Sequence, residues 1–212
     1  MISDKNRKIA ITGAFSALVV VMYITGLGYI RINPQISYTI LQVPVILATI
    51  LGGLVPGLIT GFVFGLTSLI KSAVMPLSML DPYFLNPLCS IFPRLMIALV
   101  TWLVFTGLNK ISHMPKTISG IFAAVLGSLT NTIMVFAMLC LIYFNEIAPI
   151  VQKAVANYPS LANAAYIAIL LTFAPAALVE GAISGAVSGA VLTSMGIASH
   201  GKAKLNKESD EE

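Results

Sequence analysis

Cations standing at the ends of long apolar runs constrain this chain more than any other feature of its sequence. Only 9% of the residues are charged and 58% are hydrophobic. A soluble domain needs about 25% charged residues to cover its surface, so that class is excluded and a bilayer is the fitting solvent. Ionisable groups that fall inside or against the apolar runs are costly to keep at membrane depth and therefore mark functional positions. Arg31, Lys71, Asp81, Arg94 and Glu180 are those groups.

Apolar stretches run from about Ile9 to Ile30, Ile40 to Gly52, Val55 to Ile70, Ile91 to Leu108, Ile118 to Phe144 and Ala162 to Met195. Roughly 20 residues are needed to cross about 30 Å of hydrocarbon. The expected fold is an all-α integral membrane protein, a six-transmembrane-helix bundle whose second span is short, tilted or re-entrant. With the N-terminus inside, Lys5, Arg7, Lys8, Lys110, Lys116, Lys202, Lys204 and Lys207 collect on one side, eight of the twelve basic residues. Both termini are therefore expected to be cytoplasmic.

Met1 to Lys8 followed by an apolar run has the outline of a secretory signal. No small-residue cleavage site ends that run before the segment from Gly26 to Arg31, so a retained first span is expected. Residues 1–198 read as one membrane domain and 199–212 as a disordered cytoplasmic tail, polar and mixed in charge. The net charge of +4 follows from the positive-inside bias and does not imply nucleic acid. Cys89 and Cys140 have no paired spacing, and core packing is expected for them over a disulfide or a metal site.

Small residues make smooth helix faces. Ala10, Gly13, Ala14 and Ala17 follow i, i+3, i+4, i+7 spacing and form one stripe on the first span. In lipid, helices associate by close backbone packing, so the stripe faces either a helix of this chain or a partner protein. Gly181, Gly185 and Gly189 with Ser184, Ser188 and Ala186 form a second face on the last span, expected to pack inside the bundle. The glycines from Gly52 to Gly65 are also assigned to packing, since no Lys-Ser/Thr pair of a phosphate loop follows them.

The polar groups concentrate on the predicted outer side. Arg31 opens an outer loop whose Asn33, Gln35, Ser37 and Tyr38 can hydrogen-bond. Lys71 ends the third span. The next segment carries Pro76, Pro82, Pro87 and Pro93, cannot be one continuous helix, and reads as an ordered cap over a ligand pocket. It bears Asp81, Tyr83, Phe84 and Asn86 and leads to Arg94. Gln42 lies just inside the second span, and Asn131 lies within the fifth between Thr130 and Thr132.

Arg31, Lys71 and Arg94 against Asp81 leave a positive mouth suited to an organic anion, where an Arg fork can hold a carboxylate. Snorkelling is the other reading of Arg31 and Lys71, and an ion pair with Asp81 or Glu180 is the other reading of Arg94. Glu180, five residues after Pro175, must pair, accept hydrogen bonds or stay protonated. Structural pairing and a place in the ligand pocket both remain open for it.

The sequence KIAITGAFSALVVVMYI, a short outer loop, SYTILQVPVILATILGGLVPGLITGFVFGLTSLI, and a Pro-rich segment ending in FPRLMIALVTWLVF together resemble a known family. They are similar to the substrate-binding S component of energy-coupling factor (ECF) vitamin transporters, over about residues 5 to 195. The resemblance implies a six-helix subunit of a bacterial plasma membrane that captures a vitamin at its outer face with high affinity. It implies docking on a transmembrane coupling protein driven by two ATPases, with the loaded subunit toppling in the bilayer.

On the same resemblance, Ala10 and Ala14 match the family's docking motif, with Gly13 and Ala17 one register over. The site candidates it implies are Arg31, Gln42, Lys71, Asp81, Asn86, Arg94 and Asn131, joined from the residues themselves by Tyr38 and Glu180. No cofactor is expected in this chain, because ATP is used by the partners.

Three outer cations favour a vitamin with a carboxylate, of which pantothenate is the best fit. Riboflavin is the rival, since Tyr38, Tyr83 and Phe84 are able to stack on its ring. From a different class, a stand-alone ion-coupled transporter would use Glu180 with Arg94. An integral membrane enzyme is disfavoured, as the sequence has no HExxH, no paired intramembrane aspartates and no activated nucleophile.

Overall fold

The first apolar stretch folds into α1, Asp4–Ile24, and stops earlier than its hydropathy alone suggests. Gly26 follows the C-cap Thr25 with φ 73°, a left-handed conformation that ends helices and that glycine adopts without a Cβ penalty. The backbone is described for residues 3–33, 36–74, 76, 81–111, 115–154 and 165–209 of this computed structural model. Side chains are described for 3–28, 39–74, 76, 81–110, 115–146 and 174–196.

Beyond α1 the chain becomes extended. Strand β1, Tyr29–Asn33, pairs antiparallel with β2, Ile36–Thr39, in the register Tyr29 to Thr39, Ile30 to Tyr38 and Arg31 to Ser37, with an irregularity between Arg31 and Asn33. The expected irregular outer loop is thus a hairpin set on a helical bundle.

Helix α2, Gln42–Gly52, is short, as one reading of the second span has it, and is not of membrane length. Its 11 residues span only about 16 Å at 1.5 Å per residue, well short of the hydrocarbon thickness. All its residues but Leu51 are buried, and a helix apolar on every side belongs in a core. Pro44 costs it no bond, because the first-turn N–H groups have no intrahelical acceptor anyway.

Gly53, at φ 93°, reverses the chain into α3, Leu54–Val74. A 3-10 turn, Asp81–Leu85, a one-turn helix α4, Pro87–Ser90, and then α5, Phe92–Ile111, follow. The Pro-rich segment is therefore broken into short turns, as the proline spacing requires. Helix α6 covers Lys116–Ala154 with a non-helical residue at Tyr143 (φ −126°, ψ 25°). Helix α7 covers Ala165–Ser209 and contains Pro175; its backbone runs on into the polar end whose composition reads as a disordered tail.

Five helical stretches among the described residues are long and apolar enough to cross a membrane: Asp4–Ile24, Leu54–Val74, Pro87–Lys110, Lys116–Glu146 and Ala174–Gly196. The expected sixth, α2, lies at their centre. Leu41, Val45, Ile46 and Ile50 pack there with Val19 and Tyr23 of α1, Phe64 of α3, Ile97 and Ala98 of α5 and Ala124 of α6.

Glycines set the closest approaches. A Cβ on Gly61 would lie 2.6 Å from the Arg94 carbonyl oxygen, and one on Gly65 would lie 2.7 Å from Ile91 Cα. The backbones of α3 and the α5 entry are thus in direct contact. Gly185 and Gly189 leave room for Val125 and Ile121 of α6 in the same way, so the glycine face of α7 packs inside the bundle, as expected. The two ends of the bundle differ. One brings together Arg7, Ile50, Leu51, Gly120 and Leu192, and the other holds the hairpin, Gln42 and Glu180.

Candidate functional site

The hairpin end carries a buried polar network centred on Glu180, which is 5% exposed. Helix α7 presents its carboxylate toward β2 and α2. Oε1 accepts the Thr39 backbone N–H at 2.7 Å, while Oε2 accepts Gln42 Nε2–H at 3.2 Å and the Thr132 hydroxyl at 3.5 Å. Gln42, fully buried at the first residue of α2, also donates from Nε2 to Ser128 Oγ at 2.9 Å. One carboxylate thereby fastens the end of the hairpin, the start of α2 and the middle of α6 to α7. Charge-assisted bonds of this kind are the stronger ones.

Asn131 belongs to the same surface of α6. It follows Ser128 by three residues and precedes Thr132 by one, and it is 4% exposed. Its Oδ1 and Oε1 of Gln42 are buried with no hydrogen-bond partner among the described residues.

Arg94 is buried too, at 7% exposure. Its guanidinium lies 5.2 Å from the ring centroids of both Phe64 and Phe84, and Nη1 donates to the Cys89 carbonyl at 2.9 Å. Cation–π contact and a backbone acceptor in a desolvated place hold this side chain in the fold. It also interacts electrostatically with Glu180.

Lys71 is half-buried, with its ammonium 5.1 Å above the Tyr23 ring. Asp81 opens the 3-10 turn. Asn86 caps α4, accepting the Leu88 N–H at 3.0 Å, and its Nδ2 donates to the Tyr143 hydroxyl at 3.4 Å. The Tyr83 and Tyr143 rings meet with centroids 4.9 Å apart, and the Ser90 hydroxyl donates to the Phe84 carbonyl. The short turns are tied in this way to α6 at its one non-helical residue. The structure places Arg31 and Tyr38 on the paired strands, and their side chains lie outside the described residues.

Of the expected site residues, Gln42 and Glu180 are thus joined directly, and Asn131 stands on α6 with their partners Ser128 and Thr132. Arg94, Lys71 and Asn86 have partners of their own among aromatic rings and backbone groups. Three contributors escaped the sequence reading: the Thr39 N–H, Ser128 and Phe64. Ser128, Asn131 and Thr132 are polar at i, i+3 and i+4 of an otherwise apolar helix, a spacing that puts them on one face; that was the available signal. Cys89 and Cys140 are free thiols.

At the opposite end, Ala10, Gly13, Ala14 and Ala17 are all exposed, and a Cβ on Gly13 would meet nothing within 4 Å. The stripe therefore does not pack within the described chain. Beside it opens an apolar groove of about 340 Å³ lined by Arg7, Ala10, Ile11, Leu51 and Met195. Arg7 Nη2 donates to the Leu51 carbonyl at 3.1 Å, which satisfies an orphan acceptor at the C-terminus of α2.

Comparison with curated proteins returns no match. The family model of the substrate-specific component of ECF transporters does match, over residues 7–192. That stretch takes in the hairpin, the central short helix and all or most of each of the five membrane-length helices, so the chain belongs to the ECF transporter substrate-specific components.

Proposed function

We propose that this chain captures a water-soluble vitamin at its hairpin end and surrenders it to the cytoplasm while docked on an ECF module. The observation that carries this reading is the family match over nearly the whole chain. A substrate-specific component is a transport subunit, and membership implies association with a membrane coupling protein and ATPases. This chain then needs no cofactor, and ATP is consumed by its partners.

The solute sits between the hairpin, α2, α6 and α7, with Gln42, Asn131 and Glu180 at its inner side. Lys71, Asp81, Asn86 and Arg94 line or brace the outer approach, and Arg31 and Tyr38 are assigned to it from the sequence alone. Pantothenate answers the excess of cations there, and riboflavin answers the tyrosines and Phe84. The protein lies in a bacterial plasma membrane with both termini cytoplasmic, which agrees with the cations of the α1 start and of the α5–α6 connection.

Docking uses the stripe Ala10, Gly13, Ala14 and Ala17. Its exposure supports this, because smooth helix faces allow the close approach on which association in lipid depends. The groove beside Ala10 extends the same surface. The docked, loaded subunit then tilts as a body to carry its solute across, and the scarcity of charge on its flanks suits that movement.

The test separates binding from delivery. Ala10→Leu and Ala14→Leu, expressed with an ECF module, are expected to retain solute affinity and lose uptake. Loss of binding and folding along with uptake would return the stripe to internal packing and defeat the docking assignment.

A further inference from the structure

The Glu180 network holds more acceptors than donors. A carboxylate offers about four acceptor positions, and Thr39 N–H, Gln42 Nε2–H and the Thr132 hydroxyl take three of them. The orientation of the Gln42 amide follows from chemistry: Glu180 requires a donor, so Nε2 faces the carboxylate and Oε1 faces away. Oε1 is then buried without a hydrogen-bond partner among the described residues, as is Oδ1 of Asn131. Buried acceptors left in that condition are expensive, and each such position calls for an explanation.

The two amides stand on the elements that hold this carboxylate, Gln42 on α2 and Asn131 on α6. Ser128 and Thr132 of α6 both bond into the network, and Asn131 lies between them on the same helix. A solute carboxylate placed against these oxygens would be repelled by them, while Arg94, the cation that acts on Glu180, is held by Phe64, Phe84 and the Cys89 carbonyl. An N–H or O–H group would meet partners at each.

We propose that Gln42 Oε1, Asn131 Oδ1 and the remaining acceptor position of Glu180 form a donor-reading subsite. It takes the end of the solute that carries N–H or O–H groups, such as an imide, an amino-heterocycle, an amide or a polyol, and any carboxylate of the solute points away from it. This rests on the reading of the chain as a solute-binding component. It changes the selection rule that the cations alone give: what the chain recognises at depth is a pattern of donors.

The test compares Asn131→Ser with Asn131→Leu. The full chain is purified in detergent, and calorimetry measures binding of riboflavin, thiamine, pantothenate and biotin, with any solute carried from the cell identified by mass spectrometry. The best-bound solute is expected to offer a donor group. Asn131→Ser, which keeps an uncharged acceptor oxygen, is expected to bind it at least about threefold more tightly than Asn131→Leu. Asn131→Leu, which removes that oxygen, is expected to bind about tenfold or more weakly.

If Asn131→Leu fails to fold, wild-type protein tested against the same solute methylated at its donor nitrogen or oxygen reads the same contact, and about a tenfold loss is again expected. The reverse order, with Ser weaker than Leu, would mean that no oxygen at this position is read by the solute and would overturn the inference alone. Unchanged affinity in both variants would also overturn it, leaving the acceptors a structural role. A wild type that binds none of the four probes and carries no solute would bring down the solute-binding reading and this inference with it.

Discussion

Glu180 and Arg94 illustrate two ways of keeping a charge inside an apolar bundle. Glu180 is answered by hydrogen-bond donors from three elements, one of them a backbone N–H. Arg94 is answered by two aromatic faces and a carbonyl. Glu180→Ala strands the Thr39 N–H, at about 1–3 kcal/mol, and leaves Gln42 Nε2 with Ser128 as its one acceptor among the described residues. Thermal unfolding in detergent is expected to show a marked loss of stability, and an unchanged transition would mean that the network is dispensable. Arg94→Lys keeps the charge but loses the planar group that lies over Phe64 and Phe84, at about 1–2 kcal/mol; stability equal to wild type would show that charge alone matters there. Both residues stand out in the sequence as charges in apolar surroundings. Their partners do not, because Phe64 and the Thr39 N–H look like any other phenylalanine or backbone group until the helices are brought together.

Among the elements, the five membrane-length helices are legible as long apolar runs bounded by cations, since length and hydropathy are what the bilayer selects. The short α2 is legible as apolar but not as a core helix, because burial by neighbours and burial by lipid leave the same residue signature. The hairpin was missed although its signal is present. Ile30, Ile32, Ile36 and Tyr38 alternate with Arg31, Asn33, Ser37 and Thr39, which is the two-residue period of a strand. The glycine steps announced close packing without saying where, and the structure divides them. Gly61 faces the α5 backbone at 2.6 Å, and Gly13 faces nothing within 4 Å. Gly61→Val is therefore expected to destabilise the protein by about 1–3 kcal/mol or more through overpacking. Gly13→Val is expected to leave the unfolding temperature unchanged and to lower uptake only. Equal effects of the two on stability would refute the division.

Seen whole, the molecule differs at its two ends. A buried polar network lies beside the hairpin, and an exposed small-residue stripe with an apolar groove beside it lies on the other side. Packed helices join the two, which suits the proposed division between a solute end and a docking end in a subunit that moves as a body. That division is the central claim, and uptake measured in proteoliposomes with and without companions tests it most directly. Solute accumulation that requires the coupling protein, both ATPases and ATP, with the isolated chain binding solute but importing none, is the predicted result. Uphill import by the isolated chain, driven by an ion gradient and indifferent to ATP, would contradict it.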